Sequence, residues 1–161
     1  MHDDKIIYRY NLGYCLFCTS FLGWVIFILI MMIFIPPFEK HHTSSAVAAA
    51  LVILAPVIYL VRITIKYTIP AIKGKTALEI NQTGIIDYAR HFIIEWADIT
   101  DLRLFYNRGM ATIYFHFKDT EGVEDYIRTR LIWVSGDSRE IYSIIAANLE
   151  DRNPNWKIKH E

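Results

Sequence analysis

A chain of 161 residues with two long apolar runs near its start leaves room for one small water-soluble core and excludes a second globular domain. The formal net charge is zero, but residues 1–75 hold 7 Lys/Arg against 3 Asp/Glu, and residues 76–161 hold 10 against 14. A mildly acidic C-terminal part argues against nucleic acid and against broad attraction to anionic lipid, both of which select basic surfaces.

The chain opens with MHDDKIIYRYN, where Tyr8 and Tyr10, with Tyr14 just beyond, fit the aromatic belt of a membrane surface. The first apolar run, Leu12 to Ile35, has 24 residues without a charge. At ~1.5 Å rise per residue, a helix of that length exceeds the ~30 Å hydrocarbon layer. It is too long for a signal-peptide core, and no small-x-small cleavage pattern follows it closely, so a retained anchor is expected. Pro36 and Pro37 stop it. Cys15 and Cys18 form a C-x-x-C inside this run, with no second Cys pair anywhere, and read as small apolar filler.

A short loop follows in which Glu39, His41 and His42 lack the spacing of a built metal site. The second run, Ala46 to Ile65, contains Pro56 and Arg62. Ser44 or Ser45 is expected to cap it, Pro56 to kink it, and Arg62 to extend its head group to the interface. The two runs predict an integral transmembrane α-hairpin over residues 1–66. Lys/Arg residues lie at 5 and 9 before it, at 40 within its loop, and at 62, 66, 73 and 75 around its end. That bias places both termini on the cytoplasmic side of the membrane. Antiparallel pairing brings Gly23 to the depth of Ala55, which predicts a close helix–helix contact there.

Residues 67–75 form a basic connector in which Pro70 and Gly74 are expected to break any continuing helix. From Thr76 the period changes from helical to alternating. TALEIN and IIDYA read as a hairpin around Gln82-Thr83-Gly84, HFIIEW as a third strand, and ITDLRLFY and MATIYFHFK as two longer strands joined at Asn107-Arg108-Gly109. Tyr126 to Thr129 reads as another strand, extended through Leu131 to Val134. Asp137 with Glu140 starts a final helix, whose stripe of Ile141, Ile144, Ile145 and Leu149 needs a sheet to cover. Together these predict a strongly bent antiparallel sheet or partly open barrel of six to seven strands over residues 76–161, closed by the terminal helix.

Six or seven short strands followed by one amphipathic helix is the order of the pleckstrin-homology (PH)-like fold. LEINQTGIIDY and IIEWADITDLRL resemble the opening of bacterial PH-like domains, a Gly-turn hairpin followed by a W-x-D-I entry into a long strand. Over residues 12–150 the chain resembles a family of small bacterial membrane proteins with two transmembrane helices and a C-terminal cytosolic PH-like domain. That resemblance implies a fold and a location but no activity. Phosphoinositide-binding PH domains resemble one another in a basic first hairpin loop. Here that loop reads as Asn81-Gln82-Thr83-Gly84 without Lys or Arg, which argues against specific phosphoinositide binding.

Catalytic motifs are missing: there is no G-x-S-x-G, H-E-x-x-H, P-loop or dinucleotide glycine pattern. His91 and His116 read as single histidines in strands, and Asp98 and Asp101 as turn residues rather than a carboxylate pair. Glu121, Glu124 and Asp125 make an acidic loop without calcium-ligand spacing. A protein that is not an enzyme, has no cofactor and no metal, and acts as a membrane-tethered adaptor or regulatory module is therefore the leading expectation. Its candidate partner-binding residues are Phe105, Tyr114 and Trp133, or else an exposed strand edge. The alternative is an immunity protein that neutralises an antibacterial toxin at the inner membrane.

Overall fold

The computed structural model describes residues 5–34, 43–118, 124–153 and 156. Ile35, Pro36, Pro37, Glu39, Lys40, His41, His42, Glu121 and Pro154 lie outside the described residues. The chain divides into two units: one of residues 12–73, the other of residues 1–11 together with residues 74–161.

The first unit is helical. Helix α1 (Leu12–Phe34) is apolar on all sides, which is why it shows no amphipathic face. Helix α2 (Thr43–Ile63) includes Ser44 and Ser45 and runs through Pro56. It continues into a π-helical turn, Thr64–Thr68, and a short helix α3, Ile69–Ile72. Pro70 therefore does not break the helix as expected. Proline has no N–H to give to a carbonyl four residues back, and the local widening absorbs the loss: Ile69 N–H donates to the Thr64 carbonyl, five residues back. Lys73 N–H closes the end on the Ile69 carbonyl at 3.1 Å, and Gly74 turns the chain at φ +62°.

Helix α1 packs against α2 and the π turn. Cys15, Ile26, Ile63, Thr68 and Ala71 are buried there, and the Thr19 hydroxyl lies 3.4 Å from that of Thr68. Thr19 also donates to the Cys15 carbonyl at 2.5 Å, an i−4 bond that satisfies its hydroxyl within the helix. At the depth where Gly23 and Ala55 are expected to meet, a Cβ built on Gly23 finds no atom within 4 Å, and Ala55 is exposed.

Among the described residues the second unit holds seven strands in two antiparallel sheets and is not a closed barrel. Its first strand, β1 (Ile6–Arg9), comes from the N-terminal segment. It pairs with β2 (Thr76–Ile80), followed by β3 (Gly84–Asp87) and β4 (Phe92–Glu95), in the order β1-β2-β3-β4. The second sheet has the order β5-β6-β7, from β5 (Ile99–Asn107), β6 (Met110–Lys118) and β7 (Glu124–Arg130). Tyr8 and Tyr10 thus belong to the sheet unit, where Tyr10 is 6 % exposed and bridges Val134, while Tyr14 lies in α1. The expected extension of the last strand is corrected too, because Leu131–Trp133 form a 3-10 turn.

The W-x-D-I stretch is the hub of this unit. Asn81 makes a side-chain turn, accepting from Thr83 N–H at 2.9 Å, the Thr83 hydroxyl at 2.8 Å and Gly84 N–H at 3.0 Å. The Trp96 indole donates to the Asn81 carbonyl at 2.9 Å, and Trp96 N–H to the Thr83 carbonyl at 3.2 Å. Gly84 faces Glu95 across the β3–β4 ladder, and an added Cβ would stand 2.0 Å from the Ile94 carbonyl oxygen. Only glycine fits there.

Helix α4 (Ser138–Arg152) starts as expected, with the Asp137 carboxylate accepting from Arg139 and Glu140 N–H groups. Ile141, Ile145 and Leu149 are fully buried, and Ile144 is half-buried. The helix packs on β5 and the Trp96–Asp98 turn. Its C-cap, Asn153, donates 2.9 Å hydrogen bonds to the Trp96 and Ile99 carbonyls.

Candidate functional site

Strand alternation sends every second residue of β5, β6 and β7 to the outer face of the three-stranded sheet. Leu102, Ile113 and Phe115 point inward and are buried, as the period predicts. Tyr106 shares their phase but lies beyond the covered region, half exposed, with its hydroxyl 3.2 Å from that of Ser138. The β5–β6 turn carries positive φ at both Arg108 and Gly109, the geometry of a tight two-residue hairpin that fixes Asn107 opposite Met110.

That register sets the outer rows. Arg103 stands beside Tyr114, and Tyr114 beside Arg128; Phe105 stands beside Thr112, and Thr112 beside Arg130; Asp101 stands beside His116, and His116 beside Tyr126. The rings meet: Phe105 lies edge-on to Tyr114, centroids 6.1 Å apart at 74°, and Tyr114 lies 5.7 Å from Tyr126. The His116 ring is 6.0 Å from that of Tyr126. Phe105 is 62 % exposed and Tyr126 54 %.

Phe105 and Tyr114 form a ridge between two grooves. One, of about 280 Å³, is walled by Phe105 and Met110 on one side and by Arg128 and Arg130 on the other. The second, of about 180 Å³, adjoins Arg103 and His116. Arg103 is bound to Asp101 at 2.8 Å, which also accepts from Leu102 N–H at 2.9 Å. Asp101 is therefore committed locally, Asp98 is exposed on the preceding turn, and they form no carboxylate pair.

Of the three residues expected to bind a partner, the structure brings Phe105 and Tyr114 together. Trp133 lies on the 3-10 turn after β7, half-buried and outside this ring cluster. Tyr126, Arg128 and Arg130 complete the face; the alternation in EDYIRTR carried that signal, once β7 was seen to pair with β6. His91 is in the turn before β4, at φ +60°, not in a strand.

A second polar cluster lies on the four-stranded sheet. The Glu79 carboxylate is paired with Lys5 at 2.9 Å and accepts from the Tyr88 hydroxyl at 2.9 Å and the Asn81 amide at 3.2 Å. Burial pushes its pKa up, but these donors prevail and hold it below the usual value. The same carboxylate raises the pKa of the Tyr88 phenol. This cluster ties β1 to β2 and the following turn and leaves Glu79 satisfied, which suits a structural role. Among the described residues no group of three or more His, Cys, Asp or Glu side chains is placed to hold a metal ion, and Cys15 and Cys18 are free thiols. In comparisons with known proteins, no protein-family model, no curated protein and no solved structure matches the chain, so the reading of the site rests on its own geometry.

Proposed function

We propose that this protein is a membrane-tethered, non-catalytic interaction module whose docking surface is the outer face of β5, β6 and β7. The observation that carries the reading is the Phe105–Tyr114–Tyr126 ring cluster, held on rigid strands with Phe105 62 % exposed. Leaving such rings in water is costly unless something covers them, and rigid aromatic anchors dominate protein interfaces.

Membrane insertion of the helical unit is supported by Leu12–Met32 and Leu51–Ile72, both long and apolar enough to cross, with only 11 % of the apolar stretch of each buried. A core helix of a water-soluble protein would be mostly covered. Pairing of β1 with β2 means that the segments before and after the helices join one sheet, so an even number of crossings is required. With the Lys/Arg bias, this supports both termini in the cytoplasm of a bacterial cell.

A sheet of four strands, a sheet of three and a terminal helix support a PH-like reading of the second unit. In that fold the first hairpin connection is then the helical unit itself, and the Gln82-Thr83-Gly84 turn is the second. The test is photo-crosslinking in cells from benzoylphenylalanine placed at Phe105, with exposed Glu150 on α4 as reference. A discrete adduct at Phe105 that is missing at Glu150 is expected; equal labelling, or none at Phe105, overturns the docking role.

A further inference from the structure

We infer that the groove between Phe105 and the Arg128/Arg130 pair takes an extended acidic peptide segment of a partner protein, an inference that rests on the docking role of this face. Arg128 and Arg130 are both exposed and alternate along β7, so their side chains leave the same face about 6.6–7 Å apart. An extended ligand has the same two-residue repeat, which puts carboxylates at alternate positions opposite both guanidiniums. Across the floor at Thr112, Phe105 and Met110 supply an apolar wall for a side chain of the ligand.

Charge selects this occupant. Residues 76–161 carry 10 Lys/Arg against 14 Asp/Glu, so most of the unit repels an acidic chain and this groove is a local reversal of sign. Asp101, on the outer row next to that of Tyr114 and Arg128, is paired with Arg103 at 2.8 Å and does not neutralise the arginine pair. Strand β7 begins at Glu124 and ends at Arg130, a gradient that gives the ligand a preferred direction. A phosphate ester wants donors converging on one point, whereas these two cations stand a strand repeat apart. Nucleic acid and anionic bilayers select broader basic surfaces than this one.

The test uses the full chain in phosphatidylcholine nanodiscs, with a fluorescent peptide of alternating glutamates containing one leucine, read by anisotropy. A lysine analogue of the peptide, a single-stranded oligonucleotide and phosphatidylglycerol vesicles serve as competing probes. The acidic peptide is expected to bind, and the lysine analogue not to. Arg128→Gln with Arg130→Gln should weaken binding by on the order of tenfold or more, with circular dichroism unchanged, while Arg139→Gln leaves it unchanged. No binding of the acidic peptide, binding indifferent to the arginine pair, or tighter arginine-dependent binding of oligonucleotide or vesicle overturns the inference. Should the peptide fail while the Phe105 crosslink persists, the acidic occupant is wrong and the docking face stands. Should both fail, the docking role falls as well.

Discussion

The Thr129 hydroxyl donates to the Asp87 carboxylate at 2.8 Å, and both residues are only 2 % exposed. The bond joins β7 of one sheet to the end of β3 in the other. The second Asp87 oxygen accepts from Arg90 N–H at 3.0 Å, and the Arg90 guanidinium donates to the Arg128 carbonyl. The two sheets share no backbone ladder here, and side chains satisfy the polar groups along the seam.

Thr129→Val keeps the shape and removes the donor, leaving a buried carboxylate oxygen short of a partner. The expected loss is about 1–3 kcal/mol, read as a lower urea midpoint of tryptophan fluorescence in detergent. Thr129→Ser should retain most of the stability. An unchanged midpoint for the valine variant would show that the bond contributes nothing.

Asp87 and Glu79 give opposite pH signatures. Burial raises the Asp87 pKa against the hydrogen bonds from Thr129 and Arg90, so its contribution is full below the ordinary carboxylate value and is lost as pH rises through the raised one. The Glu79 pKa is lowered, so its contribution is present above the ordinary value and is lost as pH falls through the lowered one. With urea midpoints taken between about pH 3 and pH 7, the wild-type advantage over Glu79→Gln should shrink toward acid. The balance between wild type and Asp87→Asn should move toward the variant as pH rises. Parallel pH curves for wild type and either variant would refute the assignment.

Gly84→Ala drives a methyl group to 2.0 Å from the Ile94 carbonyl oxygen and 2.9 Å from Glu95 Cα. Both obstacles are backbone, so the β3–β4 ladder must part, at a cost near the top of the ~1–3 kcal/mol range for overpacking. Hydrogen exchange at residues 84–87 and 92–95 should accelerate. Gly109→Asn is the contrast: at φ +78° with no atom within 4 Å of an added Cβ, it should cost about 1 kcal/mol or less. Equal effects at the two glycines would discredit the close approach.

Gly23→Leu adds a side chain where nothing lies within 4 Å. Helix content should hold, and stability in detergent should stay level or rise by up to about 1 kcal/mol from the better helix former. Thr68→Val, which removes one of two hydroxyls 3.4 Å apart in the helical unit, should instead lower stability. Loss of folding on Gly23→Leu would restore a packing role for that glycine.

Much of this architecture was legible locally. Apolar length marked α1 and α2, period two marked the strands and the outward phase of Phe105 and Tyr114, and Asp137 marked the start of α4, because each signal is carried by contiguous residues. Only the tertiary structure decided what register and distant pairing control. IIYR carries no local sign that its partner is TALEI, some 70 residues on, with the helical unit between them. The separation into two sheets, the meeting of Tyr126, Arg128 and Arg130 with the aromatic ridge, and the exclusion of Trp133 from it follow from which strand lies beside which. A sequence states the face on which a side chain emerges; its cross-strand neighbours are set by hydrogen-bond register between segments far apart in the chain.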